Sequence, residues 1–160
     1  MRHSERYRLR SAPLALVGIA VVMGLLSGSV WAQRTRVSVS EVTGTFEHKF
    51  TGKYKGTSSE IKIQSKGPGK WRVVMNLIYP YMYGKDPIAN TGELDGEATI
   101  TGDTAVYHST QFGECSIQIK FVRVGVIKVT QSGSDSDCGF GHNVYADGTF
   151  IRTSTKWKKY

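Results

Sequence analysis

From about Thr43 onward, apolar and polar residues alternate with a period of two, and no stretch of ten or more residues after Ala32 keeps helical spacing. Glu60 to Ser65 sets Ile61 and Ile63 on one face and Lys62 and Gln64 on the other. Lys66-Gly67-Pro68-Gly69-Lys70 then supplies turn residues, and Trp71, Val73, Met75 and Leu77 share one face of the next strand. Cys115, Ile117, Ile119 and Phe121 repeat the pattern, and Arg123-Val124-Gly125 turns the chain into Val126 to Gln131. Further strands are predicted over Thr43 to Phe50, Gly52 to Gly56, Gly92 to Thr101 and Thr104 to Ser109. A last one, Val144 to Arg152, is broken at Asp147-Gly148. With the first two weak runs taken as one bent strand, the total is about eight.

Eight short strands joined mostly by tight turns predict an all-β fold. The expected form is a single antiparallel meander closed into a barrel, since closure removes exposed edges. A β-sandwich of the same strands is the alternative, because periodicity does not separate the two. The expected layout is a signal segment over residues 1–32, a flexible lead-in over 33–42, the β domain over 43–155 and a basic, aromatic tail over 156–160.

The first ten residues carry Arg2, Arg6, Arg8 and Arg10 against Glu5, and an uncharged apolar run from Ala12 to Leu26 follows. That order is the order of a secretory signal. Ser27, Gly28 and Ser29 break the run, and Val30-Trp31-Ala32 places cleavage between Ala32 and Gln33. Ala12 to Ala32 would also be long enough to cross a bilayer, for which about 20 residues suffice, but the interrupted end favours removal. The product is expected in the periplasm or secreted, with no stable membrane span.

Export changes how charge and cysteines are read. The part after Ala32 keeps 17 of the 21 Lys and Arg and 12 of the 13 Asp and Glu, a net charge of +5 instead of +8. This mild excess serves solubility or favours anionic partners. Cys115 and Cys138 are the two cysteines, and in an oxidising compartment they predict one disulfide across a loop of about 24 residues, stabilising by roughly 3 kcal/mol.

The densest aromatic segment is Tyr79-Pro80-Tyr81-Met82-Tyr83-Gly84, which with Lys85 to Thr91 makes the longest predicted connection. Tyr79, Tyr81, Met82 and Tyr83 are the candidate ligand or partner contacts, because tyrosine joins an apolar body to a polar tip. The alternative is that they seal the end of the core. Glu93, Asp95 and Glu97 share one strand face, which reads as a solvated row with cross-strand ion pairs. Ser132 to Asp137 offers oxygen ligands but lacks the ligand spacing and distal Glu of an EF-hand loop. His48, His108 and His142 fall on different elements, without the spacing of a zinc site or a triad. No metal, cofactor or catalytic residue is assigned, and a non-enzymatic protein is expected. Cys138-Gly139-Phe140-Gly141-His142 reads as a tight corner beside the disulfide, and Lys156-Trp157-Lys158-Lys159-Tyr160 as a solvated tail. No nucleic-acid partner is expected, since the tail is too short a basic surface.

At Phe50-Thr51-Gly52-Lys53-Tyr54 the chain resembles the G-x-W start of calycin barrels such as lipocalins and avidins, with Tyr54 where Trp is usual. The wider pattern of Gly52-x-Tyr54, Ser59-x-Ile61-x-Ile63, paired cysteines, and Cys138-Gly-Phe-Gly followed by Val144 and Gly148 is similar to small exported bacterial proteins of uncharacterised function. These resemblances imply a barrel without implying an activity. The leading expectation is a monomer that binds a small apolar ligand or a surface partner through the Tyr79 to Tyr83 loop. The alternative is a module directed at an envelope or extracellular protein, resembling periplasmic lysozyme inhibitors, with a filled core and a protruding loop.

Overall fold

Alternation becomes strand over most of the described residues in the computed structural model, which describes residues 36–157. The signal segment, its junction at Ala32 and Gln33, and Lys158 to Tyr160 lie outside the described residues. The strands are β1 Gly44–Lys49, β2 Ser58–Gly67, β3 Lys70–Tyr83, β4 Asp86–Thr101, β5 Thr104–Ser109, β6 Cys115–Arg123, β7 Val126–Ser132 and β8 Gly148–Ser154. Each pairs antiparallel with its sequence neighbour, and β8 returns to β1 through Phe46↔Arg152 and Glu47↔Ile151, closing an eight-stranded meander barrel.

One parity of each strand fills the barrel. Ile61 and Ile63 on β2, Val73, Met75 and Leu77 on β3, Ile117 and Ile119 on β6, and Phe46 and Phe150 at the closing seam are buried. Each such aliphatic or aromatic group contributes roughly 1.5–3 kcal/mol by leaving water. The opposite parity is largely wet, with Thr45 and Lys62 as exceptions that are buried on the outer side. Lys62 keeps its charge partnered, its Nζ lying 3.3 Å from Glu60.

Both barrel ends are covered by chain outside the sheet. At one end the short helix α1, Val39–Val42, carries a Ser38/Glu41 capping box that satisfies its first amides and drives Val42 into the core. The described part of the predicted flexible lead-in is therefore folded. Trp71 lies at this end, buried, with an indole Nε1 that has no hydrogen-bond partner, a cost of about 1–3 kcal/mol. At the other end the β7–β8 connection forms a plug that buries Cys138, Phe140, Val144 and Ala146 and is tied to β6 by the Cys115–Cys138 disulfide.

Three boundaries differ from the sequence reading. β1 stops at Lys49, and Gly52–Tyr54 is a 3-10 turn instead of a bent continuation. Val144 to Asp147 belongs to the plug, so β8 begins at Gly148. The longest predicted loop, Tyr79 to Thr91, is strand almost throughout. The tail differs too, because Trp157 sets its ring 5.5 Å from the Arg72 guanidinium on the outer face of β3.

Candidate functional site

β3 and β4 are far longer than their outer neighbours. β2 leaves β3 at Asn76, and β5 joins β4 only from Ala98 onward, yet β3 and β4 stay paired to Tyr83↔Asp86. The hairpin therefore projects as an arm past the plugged end of the barrel. Tyr79 to Tyr83 and Asp86 to Asn90 extend about 17 Å at 3.3 Å per residue. Gly84 reverses the chain with φ of 61°, in a two-residue Gly-Lys loop of the kind that favours a II′ turn.

Two prolines explain why this segment does not look like a strand pair in sequence and yet is one. The Ile78 amide donates 3.0 Å to Ser59 Oγ, away from β4, so Pro80 two residues on faces the same outer edge. On β4, Thr91 accepts from the Gly141 amide at 3.0 Å on the side away from β3, and Pro87 shares that parity. Each proline lacks its N–H where no ladder partner exists. The arm thus loses no internal hydrogen bond; Pro80 is buried, and the exposed Pro87 blunts the β4 edge against further strand addition.

The faces of the arm remain available. Tyr79, Tyr81 and Tyr83 fall on one face, with the Tyr79 and Tyr81 rings stacked at 6.1 Å and 26°. Met82 points to the opposite face beside Pro87. Ile88, directly across from Tyr81, completes the tyrosine face and was not singled out by the sequence, because only the hairpin register places it there. Tyr83 is 74 % exposed, and Tyr79, Met82 and Ile88 are also exposed. The charges at the tip are Lys85 and Asp86.

The base of the arm is anchored. A Cβ added at Gly92 would stand 2.8 Å from the Phe140 ring and 2.9 Å from Val144, so the plug lies directly on that glycine. Asn90 Nδ2 donates to the His142 carbonyl at 2.6 Å. The space beneath the arm is thereby occupied by plug side chains.

Other candidates resolve into structural partnerships. Glu93, Asp95 and Glu97 are exposed, and Asp95 accepts from Arg72 Nε at 2.8 Å and from its Nη2. That guanidinium holds the Asp95 carboxyl below the usual carboxylate range and is itself pushed up by the same hydrogen bond. In the plug, Asp137 accepts from the Ser134 hydroxyl at 2.7 Å and the Ser134 amide at 2.8 Å, which lowers its pKa. Asp135 accepts from the Asn143 amide at 2.6 Å and the Ser136 amide at 2.7 Å. These carboxylates act as turn locks. Each histidine has its own partner: His48 Nδ1 meets the Thr149 carbonyl at 3.0 Å, His108 meets Glu114 at 2.7 Å, and His142 lies 3.8 Å from Asp135. Tyr54, the aromatic of the calycin-like start, sits half-buried in the 3-10 turn with Lys53 Nζ 5.0 Å from its ring centre. Among the described residues no helix is long and apolar enough to cross a membrane. Compared with protein families, curated proteins and solved structures, the chain matches none.

Proposed function

We propose that the protein is an exported, non-enzymatic interaction module whose projecting arm engages an envelope or extracellular protein through the face formed by Tyr79, Tyr81, Tyr83 and Ile88. The observation that carries this reading is the arm itself: an ordered hairpin with a proline on each strand, presenting exposed aromatic and apolar side chains. An edge-pairing site would need free amides where Pro80 and Pro87 stand, so recognition falls to side chains. Tyrosine on a rigid strand suits that role, because it offers a large contact at low entropic cost. A ligand held beneath the arm is the weaker reading, since Phe140 and Val144 already fill the base.

The test is site-specific photocrosslinking in the native host, with the crosslinking residue at Tyr83 or Ile88, and at Val106 on the barrel wall as control. A discrete adduct from the arm positions, lost when Tyr81 to Ile88 is replaced by a short turn, is expected. Equal labelling from Val106, or no adduct from the arm, would sink the reading. The shortened protein is expected to keep its Tm within a few degrees, because the removed residues are mostly exposed.

A further inference from the structure

Carboxylates are unevenly shared around the barrel. Strands β1–β4 carry Glu47, Glu60, Asp86, Glu93, Asp95 and Glu97, whereas β5, β6, β7 and β8 contain no Asp or Glu. On that half of the wall Lys120 of β6 stands directly across from Lys128 of β7, both exposed and on the outward parity. Facing side chains on neighbouring strands lie about 5 Å apart, and like charges so placed repel each other. Neither lysine has an ion-pair partner among the described residues. The row continues through Thr149 of β8, the register partner of Lys128, to Lys49 of β1, which lines a cleft of about 350 Å³ together with Thr149 and the exposed Ile151. Lys49 also lines an adjoining cleft of about 570 Å³ at the β1–β2 connection, where Lys55 adds another cation. Glu47, the one carboxylate in either cleft, is engaged by Lys49 at 3.8 Å and by the Thr153 hydroxyl at 3.1 Å.

A row of lysines that runs across strands, on a wall without carboxylates, is the electrostatic complement of a chain bearing repeated negative charges. Its setting selects among such chains. Exposed hydroxyls at Thr130 and Thr149 and the apolar surface of Ile151 match the hydroxyls and C–H faces of sugars. Phe121 and Phe150 are buried and Tyr107 packs against the core, so no aromatic ring of Phe, Tyr or Trp faces outward from β5–β8 to stack a nucleobase. We infer that this wall binds an acidic polysaccharide, whose carboxylates lie along Lys120, Lys128, Lys49 and Lys55. The inference goes beyond the arm-mediated function and does not depend on it, since β7 and β8 lie across the closed strand order from β3 and β4.

Polygalacturonate is the probe, with dextran as a neutral polysaccharide control, and binding is measured by titration calorimetry at low ionic strength. Wild type is expected to bind polygalacturonate, progressively less tightly as salt is added, and not to bind dextran. Replacing Lys120 and Lys128 together by Gln should weaken binding about tenfold. Lys66→Gln with Lys70→Gln removes the same charge from the exposed β2–β3 turn and should leave affinity unchanged. All four lysines are exposed, so both variants should fold, which circular dichroism checks. Thr149→Glu, which sets a carboxylate in the row beside Lys128, is a second exposed change that should weaken binding. Equal losses in the two lysine pairs, undiminished affinity in Thr149→Glu, equal binding of dextran, or no binding by wild type would each overturn the assignment. Poly-glutamate or duplex DNA binding as tightly as polygalacturonate would also overturn it, and would transfer the wall to an acidic protein or a nucleic acid.

Discussion

Replacing both Cys115 and Cys138 by Ala separates two roles the disulfide could play. The bridge spans 23 positions and joins the first residue of β6 to the plug. Closing a loop of about 24 residues removes unfolded-chain entropy worth about 3.5 kcal/mol at 25 °C. For a domain of this size each kcal/mol moves Tm by about 4 °C, so a fall of about 14 °C is expected. The native plug should hardly notice. Phe140 donates its amide to the Asp135 carbonyl at 2.8 Å, Gly141 to Thr91 at 3.0 Å, and Ala146 to Gln131 Oε1 at 2.9 Å, all without help from the sulfur atoms. Thermal unfolding by circular dichroism gives the Tm, and amide hydrogen exchange at 25 °C reports the plug. A Tm fall of less than about 4 °C, or plug amides losing protection well ahead of the barrel strands, would refute the reasoning. The bridge would then act by holding the plug in the native state.

Phe140→Ala should cost about 3–5 kcal/mol by urea unfolding, because it removes the buried ring that lies against Gly92 and leaves a cavity at the arm's base. Gly44→Ala should destabilise as well, by about 1–3 kcal/mol or more. Its φ is 143°, and the added Cβ would clash with the Ser154 carbonyl oxygen on the strand that closes the barrel; urea unfolding beside wild type checks it, and an unchanged midpoint would contradict the close approach. Asp137 sets a pH dependence. Its carboxyl is lowered in the folded state by the Ser134 hydroxyl and amide, so its stabilisation is present above the unfolded carboxylate pKa and is lost as pH falls through the lowered folded value. Wild type should thus melt above Asp137→Asn near neutrality, with the gap closing on acidification; a constant gap from pH 7 to pH 2 would argue against it.

The tyrosine segment shows where legibility in the sequence stopped. Tyr79, Tyr81, Met82 and Tyr83 stand out by composition alone, but Pro80 and Pro87 read as strand breakers until the neighbours on either side are known. Only the hairpin register shows that neither proline stands where a ladder amide is needed, that Met82 leaves the tyrosine face, and that Ile88 joins it. Trp71 is a similar case. Its place in the inward row is plain from spacing, yet its unpaired N–H depends on how the α1 segment and two turns meet around it.

Local alternation was enough to set the β class, most strand positions and their inward faces, because the side-chain period of a strand is a property of the backbone alone. The single cysteine pair likewise left one possible bridge, and it forms. Closure into a barrel instead of a sandwich was decided by the pairing of β1 with β8, which lie about a hundred residues apart, and by end coverings whose own sequence has no period to read. The burial of Lys62 and Thr45 on the outer parity has the same origin. Such features rest on surfaces that exist only once distant segments have packed, so the energy that selects them is absent from any local stretch of chain.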